Sequence, residues 1–203
     1  MDKAKIRLSP EEAELVANAD WILTKNGILQ KVNYMLGELQ SVQQEFLQSY
    51  LKKLPGEVIM TSPKISKGEN YKGLPWLVLD YPRYFDKDDQ FAIRCLFWWG
   101  NFFSITLQLS GHYKKIYEKK IGDSFTQLKE EGFSICISDD KWEHHFEAGN
   151  YSPLKEINMD TFRKHLNDKE FIKLAKMYPL AQWDEAGDLL LASFAAMIKW
   201  LAD

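Results

Sequence analysis

The sequence lacks several features that would assign it to a well-defined class of protein. It has only two cysteines, Cys95 and Cys136, without C-x-x-C spacing, so neither a disulfide framework nor a zinc ribbon is expected. The patterns Gly-x-Ser-x-Gly and His-Glu-x-x-His are both absent. The stretch GENYKG has the glycine spacing of a P-loop, but Leu-Pro follows where the phosphate-binding Lys-Ser/Thr pair must stand. We therefore expect no cofactor.

Long hydrophobic runs and a large excess of one charge are also missing. The most apolar run, residues 189–198, is shorter than the roughly 20 residues that cross a bilayer, and it predicts a buried helix. Residues 1–14 contain no apolar core of a secretory signal. The formal net charge of -3 provides no basic surface for nucleic acid. We expect a cytoplasmic protein with neither nucleic acid nor membrane as a partner.

What the chain does contain is abundant apolar and aromatic material. Of its 203 residues, 45% are hydrophobic and 14% are aromatic, which suits an aromatic-rich globular core rather than disorder. The order of the predicted elements indicates an α+β fold, with a twisted antiparallel sheet of four to five strands packed against helices from both termini. We expect one domain over residues 1–203: a helical hairpin at 1–55, a β-rich core with one crossing helix at 74–149, and C-terminal helices at 160–203.

The predicted helical hairpin rests on capping signals and apolar spacing. Ser9 and Pro10 mark a helix start, and Asn26-Gly27 is expected to end this first helix. Apolar residues at spacings of three and four then predict a second, longer helix that Pro55-Gly56 closes. The same spacing fits a short coiled coil, so the chain is expected to be a monomer or a homodimer through this helix.

The middle of the chain reads mainly as strands. Residues 61–75 are polar and predict a loop, and residues 111–132 predict a helix broken near Gly122. The segment 86–100 also fits a helix capped by Asp86, but its aromatic content favours a strand. After the capped helix at residue 160, the segment KEFIKLAKMY is read as helical. The predicted strands are 74–81, 91–99, 102–110 and 132–139, with 141–149 as a candidate fifth strand after an SDDK turn.

The stretch CLFWWGNFF decides how two of these strands pair. A two-residue turn at Gly100-Asn101 places Phe97 opposite Ser104 and mixes apolar and polar residues on both faces. A three-residue loop pairs Phe97 with Phe103 instead and makes one face wholly apolar. We therefore predict the three-residue loop, because one buried face requires matched apolar rows.

The opposite face of this predicted sheet gathers polar side chains edged by tryptophan. Asp80 ends a buried strand, and either Arg83 or Arg94 is placed to pair with it. Such a surface suits a small polar ligand, so the sequence favours a non-catalytic module that binds a small ligand or another protein. The candidate binding residues are Asp80, Arg83, Arg94, Trp98, Ser104, Thr106, Gln108 and Cys136.

The segment WEHHFE supports an alternative. As a strand it places Glu143, His145 and Glu147 on one face, which makes them candidate metal ligands, although one strand rarely supplies a complete site and no metal is predicted. The alternative function is a small hydrolase or transferase that uses Asp80, Arg94 and a histidine from this segment. An enzyme requires titratable groups with perturbed pKa values in one pocket, whereas a binding module does not.

Overall fold

The computed structural model describes residues 6–202 and confirms the α+β class. Residues 1–5, part of the stretch that shows no secretory signal, and residue 203 lie outside the described residues. A single seven-stranded antiparallel sheet has the order β1-β2-β3-β4-β7-β5-β6, so it exceeds the four to five strands predicted. The strands are β1 (Lys64–Tyr71), β2 (Leu74–Phe85), β3 (Gln90–Trp98), β4 (Phe102–Ser110), β5 (Ser134–Cys136), β6 (Tyr151–Pro153) and β7 (Phe171–Pro179).

Helices cover one face of this sheet, called the first face. Their inward residues join those of the strands in one apolar cluster, in which Leu36, Ile105 and Phe194 are fully buried. No helix within residues 6–202 is long and apolar enough to span a membrane. The helices are α1 (Pro10–Ala17), α2 (Ala19–Leu47), α3 (Gly56–Ile59), α4 (Gly111–Asp123), α5 (Phe125–Glu130), α6 (Met159–Asp168) and α7 (Ala186–Ala202).

The N-terminal helices differ from the predicted hairpin. The helix start at Ser9 is confirmed, but the break comes at Asn18, whose side chain accepts from the Trp21 N–H at 3.2 Å and caps α2. α2 then runs unbroken through Asn26-Gly27, so the predicted turn there is wrong. A mid-helix glycine costs only about 1 kcal/mol. Packing of the following turns, which bury Val32 and Leu36, is sufficient to offset that cost.

The predicted pairing of β3 with β4 is confirmed. Phe97 lies opposite Phe103 with ring centroids 5.2 Å apart, and Cys95 lies opposite Ile105. The three-residue loop has Gly100 in the left-handed region, with φ of 71°. All four side chains lie on the first face, beneath the helices.

Three strands of the sheet, β1, β6 and β7, were not predicted. The expected loop at 61–75 contains β1, which joins β2 through Lys72-Gly73, a two-residue turn with φ of 50° and 82°. The segment expected to be a C-terminal helix contains β7, which pairs with both β4 and β5 inside the sheet. The expected strand at 141–149 is irregular instead, and β5 pairs with β6.

Residues 137–150, called here the covering segment, lie over part of the second face. Phe146 anchors them, because its ring contacts Phe102 edge-on at 5.2 Å and stacks on Tyr151 at 4.5 Å. Phe146 therefore links an apolar cluster around Trp98 to another around Cys136. The cover is incomplete, and the part of the second face formed by β1, β2 and β3 borders a cleft.

The register makes Phe103 a stability determinant. We expect Phe103→Ala to lower the free energy of unfolding by about 3–5 kcal/mol, because the fully buried ring leaves a cavity under the helices. Phe85→Ala is the matched control, since that ring is 37% exposed and its loss is expected to cost less than about 1 kcal/mol. Urea unfolding measures both, and similar losses for the two variants contradict the buried register.

Candidate functional site

The cleft on the second face has a volume of about 490 Å³. Strands β1 to β3 supply its floor, and the covering segment supplies one side. Its size falls within the range of roughly 300–1,000 Å³ that is typical of small-molecule sites. The lining residues include the aromatic Tyr71, Trp76 and Trp142 and the polar or charged Lys64, Ser66, Asn70, Asp80, Arg94 and His144.

An ion pair forms the floor of the cleft. Asp80 and Arg94 are direct cross-strand partners on β2 and β3, so the register brings them together. The Arg94 Nε donates to Asp80 Oδ1 at 2.7 Å and the Nη2 donates to Oδ2 at 3.0 Å. The two side chains are only 13% and 10% exposed. This two-point contact holds the guanidinium plane in one orientation.

His144 reaches the floor from the covering segment. Its Nε2 lies 3.1 Å from Nη1 of Arg94. Because a guanidinium group only donates, Nε2 must accept, and a neutral imidazole then carries its proton on Nδ1. Burial, aided by the positive charges of Lys173 and Arg94, lowers the pKa of His144 to about 2. The ring is therefore neutral at physiological pH.

Lys173 lies behind His144, on β7, and is 1% exposed. Its Nζ donates to the main-chain oxygens of Lys141, at 3.0 Å, and Glu143, and it lies 3.4 Å from His144 Nδ1. Burial lowers the pKa of Lys173 to about 8. The ammonium form of Lys173 has only donors, so it cannot form a hydrogen bond with the Nδ1–H of His144. The neutral amine has a lone pair and can accept a hydrogen bond from that group. Two carbonyl groups of the covering segment thus hold a cation that lacks a carboxylate partner among residues 6–202.

Tyr71 and Asn150 fix the covering segment in place. The Tyr71 hydroxyl accepts from the N–H groups of His144 at 2.7 Å and His145 at 3.2 Å, and it donates to the Glu143 carboxylate at 2.9 Å. Burial raises the pKa of Tyr71 to about 12, so the hydroxyl keeps its proton. The Asn150 amide donates to the main-chain oxygens of Glu143, at 3.3 Å, and His145. These bonds preform the side of the cleft.

The wall formed by Trp76 depends on a glycine in the neighbouring strand. A Cβ atom at Gly68 would lie 2.6 Å from the Trp76 indole, far inside van der Waals contact. Gly68 is the cross-strand partner of Trp76, so the ring lies across the bare backbone of β1. Only glycine allows the indole to lie this close to the sheet edge.

Of the predicted binding residues, only Asp80 and Arg94 line the cleft. Arg83 does not pair with Asp80, because a bulge between these two residues of β2 displaces it. Its Nε instead donates to the main-chain oxygen of Ser62 at 3.0 Å.

The other predicted binding residues are buried away from the cleft. Trp98 is 4% exposed, packs on Tyr71 at 5.0 Å and donates from Nε1 to the Tyr71 carbonyl at 3.2 Å. Gln108 bonds to Gln90 at 3.1 Å. Trp98 and Gln108 lie on the second face, as alternation along the strands predicts, but in the part that the covering segment buries. Trp98 therefore has a packing role. The remaining buried members of this group are Ser104, Thr106 and Cys136.

The metal candidates do come together, although not on a strand. His145 Nε2 lies 3.3 Å from Glu143 and its Nδ1 lies 3.5 Å from Glu147. Across the described chain, however, no group of three or more His, Cys, Asp and Glu side chains is arranged to hold a metal ion. The arrangement is that of a histidine between two carboxylates of the covering segment.

Tyr71 and Lys173 were not predicted as site residues, and His144 was included only as one of the histidines of WEHHFE in the alternative function. Tyr71 falls in the stretch read as a loop, and Lys173 falls in the stretch read as helical. The available signal was a lysine flanked by Ile172 and Leu174, since one charge within an apolar run requires a buried partner. The sequence placed His144 and His145 on opposite sides of a predicted strand. The segment is not a strand, but the two rings do point to different partners, His144 to Arg94 and His145 to Glu143 and Glu147.

The low pKa of His144 makes stability depend on pH. Between pH 6.5 and pH 2 the unfolded chain binds a proton that the folded protein does not, so the free energy of unfolding falls as pH falls. From pH 6.5 to about pH 5 we expect the wild type to lose roughly 1–2 kcal/mol more than His144→Gln. Urea unfolding across this range measures the difference. His165→Gln is the control, and equal losses in the wild type and His144→Gln contradict the buried neutral imidazole.

A comparison of the chain with protein-family models, curated proteins and solved structures found no match.

Proposed function

We propose that this protein is a non-catalytic module that binds a small molecule in the cleft on the second face. The observation that carries the proposal is the built floor: a two-point ion pair, nearly buried, between aromatic walls. Tyr71, Lys173 and Asn150 hold the covering segment at its side. A ligand therefore pays little ordering entropy in such a preformed site.

The enzymatic alternative is less well supported. It requires a histidine close to Asp80 and Arg94, and His144 meets that condition. With a pKa of about 2, however, His144 is not an imidazolium that can act as a general acid near neutral pH, and it accepts a further proton poorly. The Asp80 carboxylate is engaged on both oxygens by Arg94. The chemistry of the floor therefore favours binding over acid–base catalysis.

We also propose a second copy of the chain as a partner, docked through the N-terminal helices. α1 has no buried residue, and the first turns of α2 expose large apolar side chains. Leu15, Val16, Trp21 and Leu23 are 55%, 74%, 51% and 63% exposed. Exposed apolar groups concentrated on one segment are typical of an interface. The cytoplasmic location and the lack of nucleic-acid or membrane partners remain predictions.

Ligand binding is tested by a thermal-shift screen of metabolites on the wild type and on Trp142→Ala. Trp142 is 47% exposed at the cleft, so its removal spares the fold. We expect ligands that raise the unfolding temperature to bind roughly threefold to tenfold more weakly to Trp142→Ala, because a stacking surface is lost. Tyr34→Ala, which removes a 65% exposed ring outside the cleft, is the control. Ligands that bind both variants equally well place the binding site elsewhere.

Self-association is tested by analytical ultracentrifugation of the wild type and of Val16→Glu/Leu23→Glu. We expect the wild type to dimerise and the double variant to be monomeric, because two buried carboxylates at an apolar contact are costly. Met60→Glu changes an apolar residue that is 86% exposed elsewhere, and it should leave the dimer intact. A monomeric wild type at high protein concentration rules out this partner.

A further inference from the structure

We infer that the cleft selects organic anions, specifically a small carboxylate attached to a planar apolar group. The inference rests on the proposed function, since it names the chemical class of the ligand for that same cleft. Three observations carry it: unused donors on Arg94, the balance of charge around the floor, and the aromatic walls.

Arg94 has donors left over after its protein contacts. Asp80 occupies Nε–H and one N–H of Nη2, and His144 occupies one N–H of Nη1. A guanidinium group carries five N–H donors, so one remains on each of Nη1 and Nη2, without a partner among residues 6–202. A carboxylate presents acceptor oxygens to such donors, and the resulting bonds are charge-assisted. Because Asp80 already fixes the guanidinium plane, the ligand does not have to order it.

The charges around the floor favour a negative ligand. Among residues 6–202, Lys64 and Arg94 are the cationic groups that line the cleft, and Asp80, the one carboxylate that lines it, is already paired with Arg94. His144 contributes no charge at neutral pH, and Lys173 adds a cation behind it. The Glu143 carboxylate, which accepts from Tyr71, offsets Lys173, so the positive surplus at the cleft is that of Lys64. A positive surplus in a partly buried cleft attracts anions. The same surplus disfavours ammonium ligands, which need an unpaired carboxylate beside the aromatic rings.

The aromatic walls indicate the rest of the ligand. Trp76 lies across Gly68, Tyr71 is fixed by its hydroxyl contacts, and Trp142 is exposed at the opening. Rings held in this way offer flat apolar surfaces, on which a planar group stacks. A carboxylate at the floor therefore leaves a planar substituent between these rings.

The test compares three probes that share a ring and differ in charge: phenylacetate, phenylacetamide and phenethylamine. Binding is followed by the indole N–H signals of Trp76 and Trp142 in ¹H–¹⁵N spectra of the full chain, assigned from Trp142→Ala and Trp76→Phe. We expect phenylacetate to bind at least roughly tenfold more tightly than phenylacetamide, with phenethylamine the weakest. Added salt should weaken only phenylacetate.

Variants separate the charge of the cleft from its shape. Lys64→Ala should weaken phenylacetate severalfold and leave phenylacetamide unchanged, because Lys64 is exposed at the rim of the cleft. Lys67→Ala, which changes an exposed lysine on the opposite side of β1, is the matched control. Arg94→Lys should abolish the preference for phenylacetate over the amide, since an ammonium group lacks the planar donors. If Arg94→Lys does not fold, the probe series on the wild type and on Lys64→Ala still tests whether the cleft prefers anions.

A carboxylate has two sources, a free small molecule or the C-terminus of a peptide. Acetyl-Gly-Gly-Phe with a free carboxylate and its C-terminal amide distinguish them. Tighter binding of this peptide acid than of phenylacetate assigns the carboxylate to a chain terminus, and tighter binding of phenylacetate assigns it to a free acid. Either result supports the anion preference, provided that the corresponding amide is weaker.

The failures are distinguishable. If phenylacetamide or phenethylamine binds as tightly as phenylacetate, the anion preference is wrong and the cleft remains a binding site. If none of the probes shifts the Trp76 or Trp142 signals, the anion preference is wrong, whereas the proposed function fails only if the thermal-shift screen also finds no ligand that depends on Trp142.

Discussion

The pairing of β3 with β4 is the constraint on which the rest of the structure depends. Because the loop between them has three residues, Phe97 and Ile93 lie beside Phe103 and Leu107, and one face of the sheet is wholly apolar. That face binds α2, α4 and α7. The polar residues of β3 and β4 are thereby confined to the second face, where Arg94 meets Asp80 across the strands. A shift of one residue would place Arg94 under the helices and remove the floor of the cleft.

Placing cations on the second face creates a second requirement. Lys173 is buried without a carboxylate partner among the described residues, so its donors need acceptors from elsewhere. The covering segment meets this need with two main-chain carbonyls, and the same turn places His144 against Arg94. An irregular backbone serves here better than a strand would, because a paired strand uses its carbonyls in the ladder. The same conformation of the covering segment therefore supplies the acceptors for Lys173 and forms the side of the cleft.

Alternation along strands was readable from the sequence, and contacts between distant segments were not. Both Asp80 and Arg94 lie in segments whose aromatic content identifies them as strands. The alternation of side chains along a strand was then enough to place the two residues on the same face. β7 was missed because its lysines at 173 and 176 mimic the polar side of a helix, and pairing on both edges overrides that local pattern. β1 was missed because Lys72-Gly73 is a weaker turn signal than Asn-Gly. The covering segment hides Trp98 and Thr106 for a reason that no local pattern encodes: Tyr71 and Lys173, both distant in the sequence, hold it in place.

Unequal cover of the second face explains why a cleft exists at all. Over β4, β5 and β7, Phe146 fills the space between Phe102 and Tyr151, so the polar residues beneath are sealed. Over β2 and β3 the covering segment supplies only His144 and Trp142, and the cleft lies between these side chains and Trp76. Arg94 lies at this boundary, engaged on its inner side by Asp80 and His144 and open towards the cleft. A bound carboxylate requires a guanidinium group whose orientation the protein has fixed and whose N–H donors are not all used by protein acceptors.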